Sequence, residues 1–549
     1  MQKPKTIRNF RLTAILVALI LSCAARANAQ SASIQSIVSA GKLDTMRWPN
    51  FSDYRVWLQK FYEPAGYAPA WIQGNAPTGQ AQGMIVLFRE SWRKGLEPED
   101  YDFSRWDGRV QGLKSGGDPA QFDVAMTVCT MRYISDLHIG RINPRHFKFD
   151  LNVDQKKYDL AQFLRERILP ANDLAAVAAS AEPPFPTYRR TEDALVRYIE
   201  LAQKDDGEKL PEPAKAIDVG KEYAGVPRLV RLLTLVGDLP QGTSAGDGHT
   251  YTAEMAEGVK RFQSRHGLDT DGRLGSSTVK AMNIPLASRV FQTKLTLERW
   301  RWIPAEFTKP PIIVNIPDFK LRALDENNKV AVEMSVVVGK AMRNQTPVFT
   351  RDMTYVVLRP YWNVPPGIMK RDVIPGISKD RNQVVTKNYE ITTLDGKVVT
   401  SSAPSDDVLA QLRAGKLTVR QKPGPRNSLG LIKLMFPNEY NVYLHSTPAT
   451  ELFSRSRRDF SSGCIRVEKP AVLGAWVLRN NPGWPVDRVQ DQMDNGKDNV
   501  TIKLSQIVPV FIVYGTAVAY ENNEVHFYDD IYGHDAKLAE ALAKGYPYP

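Results

Sequence analysis

At 549 residues the chain is too long for one ordinary core, and two to four domains are expected; 43% hydrophobic and 24% charged residues is the balance of a folded protein. The formal charge of +12 comes without a basic stripe interleaved with aromatics, which argues against nucleic acid as a partner. An acidic polymer and simple solubility both fit the excess.

The chain begins like a secretory leader. Lys3, Lys5, Arg8 and Arg11 precede an apolar run from Leu12 to Leu21, and Ala27-Asn28-Ala29 offers a small-x-small cleavage site before Gln30. The run is short for a bilayer span. Residues 1–29 are therefore expected to be removed on export to the periplasm; uncleaved, they would be the chain's only tie to a membrane. Cleavage takes Cys23 away and leaves Cys129 and Cys464. Exported proteins tend to pair their cysteines. Cys129, however, lies in DVAMTVCTMRYISDL, an apolar helical run where it reads as a small core residue. A free thiol at Cys464 is the expectation.

Residues 30–222 read as a helical scaffold. FSDYRVWLQKFYE and GMIVLFRESWRKG space their apolar residues near the helical period, and LAQFLRERIL and EDALVRYIELAQKD are amphipathic. His138 and His146 flank a helix-ending turn and read as structural rather than metal-binding. In residues 223–285, VPRLVRLLTLVGDLP is one helix. TAEMAEGVKRFQSRHGL is a second, with Thr252 as N-cap and Met255, Val259 and Phe262 on one face. A turn from Asp271 to Gly275 leads to the short helix SSTVKAMN. The run from Tyr251 through Phe262-Gln263 and Gly267-Leu268 to Asp271-Gly272 and Gly275 resembles the three-helix peptidoglycan-binding module found beside cell-wall enzymes. The other reading is a small bundle serving as a spacer.

A linker helix with Trp300 and Trp302 is expected within 286–311. From 312 to 549 the texture turns to strands: PIIVNIP, FKLRAL, KVAVEMSVVVG and MTYVVLRP, with a hairpin turn at Asp325–Asn328. A polar segment over 366–423 is too long for a hairpin connection and is expected to form a lid subdomain. The sheet resumes with LGLIKLMF and NVYLHS. Helices follow at PAVLGAWVLRN and near PVDRVQDQM, then late strands in NVTIKL, VPVFIVYGTAVAY and EVHFYDD. The fold class is α+β multidomain: a helical N-terminal region, a small three-helix module, and a mainly β catalytic domain with an inserted lid.

The chemistry centres on NVYLHSTPATELFSRSRRDFSSGCIR, residues 441–466. A thiol needs a base, and His445 lies 19 residues upstream of Cys464, a spacing that lets a strand and a loop bring imidazole and sulfur together. His445, Thr447, Ser461, Gly463, Cys464, Ile465 and Arg466 match the catalytic signature His-x-Thr … Ser-x-Gly-Cys-Ile/Val-Arg, so the segment resembles the L,D-transpeptidases. Ser462 stands where that family often has a second histidine. The domain order, together with YWNVPPGIM before the lid, resembles the family's large periplasmic branch.

The resemblance implies that Cys464 is the nucleophile, His445 the base and later the acid, and the Ser446 carbonyl the group that orients the ring. An imidazolium and the charges of Arg455, Arg457, Arg458 and Arg466 are expected to draw the thiol toward thiolate; the three loop arginines are otherwise a solvated surface. Backbone N–H groups of the Ser461-Ser462-Gly463-Cys464 turn, at Gly463 and Cys464, are expected to hold the oxyanion. Tyr443 is a further donor or a packing residue. Arg466 binds a substrate carboxylate or shapes the loop, and Trp362 lines the lid side of the groove or packs a hinge. No metal or cofactor is called for. The implied partners are peptidoglycan tetrapeptide stems as donor and acceptor, with other wall-synthesis enzymes as further company. The implied reaction forms a thioester, releases D-alanine and joins two third-position residues. Water as acceptor would make a carboxypeptidase, and a protein lysine a lipoprotein-attaching enzyme. The competing classes are a papain-like or amidase-like cysteine peptidase, in which the cysteine commonly precedes the histidine, and a wall-binding scaffold without activity.

Overall fold

The computed structural model describes residues 28–545. The leader expected over 1–29 therefore lies almost wholly outside the described residues; the described chain opens in a helix that runs to residue 40.

The scaffold is built around α1 (Pro119–Ile139), which Asp118 caps by accepting from the Ala120 N–H. Its apolar residues do not keep to one stripe, and the helix is accordingly buried on nearly every side, packed with Trp71, Phe88, Tyr101 and Trp106. Cys129 sits in that core and burial pushes its thiol far up, leaving it an inert packing residue. Cys129 and Cys464 are both free. The ring nitrogens of His138 lie 2.7 Å from the Ala181 carbonyl and 2.8 Å from the Lys156 carbonyl, a structural setting. Helix α2 (Pro186–Lys204) ends the scaffold.

The small module comprises α3 (Val226–Val236), α4 (Ala253–Arg265) and α5 (Ser276–Met282). Thr252 caps α4, and Met255, Val259 and Phe262 are buried. Its signature residues are explained by folding. Buried Gln263 accepts from the Gly272 N–H at 2.8 Å and donates to Asp271 at 2.8 Å, while the Tyr251 hydroxyl donates to the Gly272 carbonyl at 2.6 Å. These bonds pin the Asp271-Gly272 turn onto α4.

The expected linker is α6 (Leu286–Arg301), and it is no loose connection. It lies buried between scaffold and catalytic domain. Glu298 accepts from the N–H groups of Arg141 (2.6 Å) and Ile142 (3.0 Å), Arg301 donates to the Tyr188 hydroxyl at 3.1 Å, and Arg299 pairs with Asp535 at 2.5 Å. An exposed linker would carry these charges in water; here backbone N–H groups and the Tyr188 hydroxyl from the scaffold and Asp535 from the C-terminal domain take them up.

The catalytic domain contributes β1 (Ile312–Asn315), β2 (Lys320–Leu324), β3 (Val330–Gly339) and β4 (Phe349–Leu358) before the lid. The lid holds β5 (Trp362–Asn363), β6 (Tyr389–Thr393), β7 (Val398–Thr400) and β8 (Leu417–Gln421), a four-stranded sheet in the order β5-β8-β6-β7. It has its own core around Ile377, Val384, Ile391 and Val419, so it folds as a subdomain. Then come β9 (Ile432–Met435), β10 (Leu444–His445), β11 (Asp459–Ser461), β12 (Ile465–Val467) and β13 (Val500–Val513). The main sheet runs β11-β3-β12-β10-β9-β4-β13-β1-β2, and β2 also pairs with β3, closing eight strands into a ring. One face of every ring strand feeds a single core that includes Val314, Leu321, Val336, Leu434, Leu444 and Ile465. Helices α7 (Pro470–Val477) and α8 (Val486–Asp494) add Leu473 and Val489 to it. After the short strands β14 (Ala517–Ala519) and β15 (Val525–Phe527), helix α9 (His534–Lys544) contributes Leu538 and Ala541 to the same core. Only strands were expected in that last stretch.

Candidate active site

Two short strands bring the motif together. β10 pairs with β12 in parallel, Leu444 opposite Ile465 and His445 opposite Arg466, and the Ile465 N–H donates to the Tyr443 carbonyl at 3.1 Å. Side chains alternate along a strand. With Leu444 and Ile465 in the core, Tyr443, His445, Cys464 and Arg466 all project from the outer face. β9 lies on the other side of β10 with Lys433 opposite His445, so Lys433 joins this face. Its ammonium sits 4.1 Å above the Tyr443 ring, and the Tyr443 and His445 rings meet edge to face at 5.8 Å. Lys433 is a member of the site that sequence reasoning missed; its alternation within LIKLM was the available signal.

The backbone around these side chains is tightly specified. The buried Ser446 hydroxyl accepts from the Leu431 and Ile432 N–H groups (2.6 and 3.1 Å) and donates to the Leu429 carbonyl at 3.2 Å. It can do so only because residue 430 is glycine: a Cβ there would lie 2.2 Å from that oxygen. The Ser461 hydroxyl accepts from the Gly463 N–H (3.1 Å) and donates to the Cys464 carbonyl (2.5 Å). Gly463 has φ +116°, a conformation that side chains disfavour. Its carbonyl accepts from Thr346 at 2.8 Å. The Gly463 N–H is thus committed to Ser461, which removes it from the expected oxyanion donors. Among the described residues, the Cys464 N–H has no acceptor. Ser462 is exposed at the tip of the turn.

His445 is buried, with Nδ1 2.6 Å from the Ser446 carbonyl oxygen. That contact assigns the proton to Nδ1 and leaves Nε2 a free lone pair. Burial, with help from Arg466 and Lys433, drives the imidazole down to about 3 against the opposing carbonyls of Ser446 and Leu429. The ring is neutral near pH 7. The Cys464 thiol is pushed up by burial, which outweighs the Tyr443 N–H and hydroxyl, Lys433 and Arg466, all of which favour the thiolate. The resting pair is therefore thiol and neutral imidazole, in place of the thiolate and imidazolium expected from the arginine-rich loop. Among the described residues no hydrogen bond joins Cys464 to His445; the thiol points to the Asn441 carbonyl, 3.6 Å away.

The loop arginines serve the loop. Arg457 pairs with Asp459 at 2.7 Å, Arg458 donates to the carbonyls of Arg455 and Phe319, and Arg455 lies over the Phe460 ring. Arg466 alone of the four acts on the sulfur; burial lowers it, and Glu451 and Cys464 oppose that. Trp362, on β5, packs against the lid core opposite Gln421. The lid reaches toward the site from there: Asp372 is held low chiefly by its bond to Arg371 and also by Lys340, on the loop that follows β3.

Residues 310–502 match the family model described as the L,D-transpeptidase catalytic domain. This stretch of the chain is similar to the L,D-transpeptidase catalytic domain. Residues 56–195 match a model described as a scaffold domain, and 224–282 one described as "Putative peptidoglycan binding domain". A Haemophilus influenzae protein named "Putative L,D-transpeptidase" is 34% identical over 227 residues, 41% of this chain and 45% of that one, so the chain spans less than half the length of this relative. The crystal structure of an L,D-transpeptidase from Stackebrandtia nassauensis is 14% identical, with 54% of this chain and 98% of that one covered, at a TM-score of 0.20, an overlap that carries no argument. The L,D-transpeptidase match contains the whole outer-face cluster, from Lys433 to Arg466, and all four lid strands.

Proposed function

We propose that the chain is an L,D-transpeptidase of the bacterial envelope that joins peptidoglycan stems through a thioester on Cys464. The observation that carries this reading is an imidazole whose Nδ1 is fixed by the Ser446 carbonyl, on the same outer face as a free thiol within the matched stretch. Cys464 turns from the Asn441 carbonyl, gives its proton to Nε2 of His445 and attacks the third-residue carbonyl of a tetrapeptide stem. The Cys464 N–H and the Tyr443 hydroxyl take the oxyanion. Collapse breaks the peptide bond, the nascent amine of D-alanine takes the proton from His445, and a thioester remains. The side-chain amine of a second stem then gives its proton to Nε2 and attacks the thioester. Collapse of that intermediate returns the proton to sulfur and leaves the cross-link. The lid's separate core suits it to keep water from the thioester. The leader-like first residues support export to the periplasm.

Incubation with soluble disaccharide-tetrapeptide, followed by mass spectrometry of protein and products, tests the reading. Free D-alanine, a peptide adduct on Cys464 and a dimer cross-linked between third residues are expected. Hydrolysis without dimer would make the chain a carboxypeptidase, and cleavage elsewhere in the stem a wall peptidase. Carbapenems are expected to acylate Cys464; an unchanged intact mass after long incubation contradicts that.

A further inference from the structure

A second cavity, of about 520 Å³, opens where the scaffold meets the catalytic domain, within the size range of small-ligand sites. Its lining comes from separate parts of the chain: Phe185 at the start of α2, Trp300 on α6, Phe307 in the connection to β1, Ile313 on β1, Val330 at the start of β3 and Val518 on β14. We propose that this cavity binds a free long-chain carboxylic acid, with the acyl chain against the apolar walls and the carboxylate at Arg190 and Lys329. The inference does not depend on the transpeptidase reading. A ligand seated there would touch scaffold and catalytic domain at once.

The apolar walls are continuous with a core and yet incompletely covered. Trp300 and Val518 are buried in the cluster that α2 and α6 share with β13, whereas Phe185, Phe307 and Ile313 pack against that cluster and stay half-buried. Val330 is 45% exposed. Protein interiors are normally close-packed, so apolar side chains from distant segments that converge on one open space mark a place for an apolar ligand. Such walls offer water few partners.

Most polar groups of the lining are already satisfied. The Asn315 amide donates to the Gly515 carbonyl at 2.9 Å and accepts from the Gly515 N–H at 2.7 Å. Arg322 lies 2.8 Å from both Asp318 and Glu333. Two cations differ. Arg190 donates to the Thr187 hydroxyl at 3.2 Å and the Ala519 carbonyl at 3.4 Å, both neutral groups. Among the described residues neither Arg190 nor Lys329 has an acidic partner in a salt bridge. The exposed Glu521 also lines the cavity, which leaves two uncommitted cations against one carboxylate. A wholly apolar occupant would leave both cations without a partner. An acyl chain that ends in a carboxylate matches walls and charges together, and the Arg190 guanidinium can meet a carboxylate through two parallel N–H groups.

The test uses the full chain and sodium octanoate, decanoate and dodecanoate below their micelle concentrations, with binding followed by calorimetry. Saturable binding of one acid per chain is expected, with affinity rising about tenfold for each two methylenes added. Decyltrimethylammonium, which has the same length of chain and the opposite charge, is expected to bind at least about tenfold more weakly than decanoate. Val330 and Lys329 are exposed, so Val330→Trp narrows the cavity and Lys329→Glu reverses a charge without disturbing a core. Each is expected to weaken decanoate binding at least about tenfold. Absence of saturable binding, or unaltered binding in both variants, overturns the site. Affinity that does not grow with chain length overturns the apolar seat, and equal binding of decyltrimethylammonium overturns the anionic head. A dimer in sedimentation velocity that Val330→Trp disperses and decanoate does not would assign the cavity to a second copy of the chain, and so overturns the ligand class.

Discussion

His445 and Cys464 rest as uncharged groups on one face of the sheet, and this sets how the site responds to pH. A base whose imidazole sits at about 3 stays unprotonated through the whole range in which an ordinary histidine, near 6.5, would be half charged. The acid limb of kcat/KM is therefore expected well below pH 6; a limb at an ordinary histidine value would show that burial does not hold the ring neutral. On the sulfur side, Lys433 opposes burial. Lys433→Met removes a cation that favours the thiolate, so the thiol's already raised value rises further. The rate of alkylation by iodoacetamide at pH 8 is expected to fall by roughly threefold to tenfold, which corresponds to about half to one pKa unit. An unchanged rate would show that the ammonium above Tyr443 does not act on the nucleophile.

Elements carry information that the residues alone do not. The parallel pairing of β10 with β12 places His445 and Cys464 on one face, yet the two strands have two and three residues and are separated by a loop. The motif announced the chemistry, and the amphipathic runs announced α2, α4 and the scaffold, because both are local. The closing of the ring through β2 and β3 and the burial of α6 depend on distant partners. Helix α9 was hidden because its short run, HDAKLAEALAK, directly follows strand-rich sequence. The commitment of the Gly463 N–H depends on one rotamer of Ser461, which no spacing encodes. The packing of α4 against the turn after α3 offers a measurable case. Burial lifts the Asp238 carboxyl even with Arg265 beside it, so this ion pair is held at a desolvation cost. Arg265→Met alone strands a buried carboxylate and is expected to cost about 3–5 kcal/mol. Arg265→Met with Asp238→Leu is expected to recover most of that. Urea unfolding followed by hydrogen exchange on α4 reads the difference, and equal losses in the single and double variants would show that the pair does not hold α4 within its module.

Across the whole molecule, buried groups in two different domains respond to acid in opposite directions. In the scaffold, Asp123 accepts from the Tyr62 hydroxyl (2.7 Å) and the Trp71 and Ala70 N–H groups (2.8 and 3.1 Å), yet burial outweighs these donors and raises it to about 6. A carboxyl with a folded value above its unfolded one binds protons more readily in the folded state, so Asp123 contributes stability to the scaffold as pH falls from 7 through 6 toward 4. In the catalytic domain, His445 has a folded value below its unfolded one. The unfolded chain then takes up the extra proton, and stability is lost as pH falls below about 6.5. The effect of Asp123→Asn relative to wild type is therefore expected to be more favourable at pH 7 than at pH 5, by about 1 kcal/mol. The effect of His445→Gln is expected to be more favourable at pH 5 than at pH 7. Urea unfolding at both values, with hydrogen exchange on α1 and on β9–β10 separating the domains, checks the two signs. Parallel pH trends in the two variants would mean that the buried carboxyl and the buried imidazole do not set the acid response of their domains.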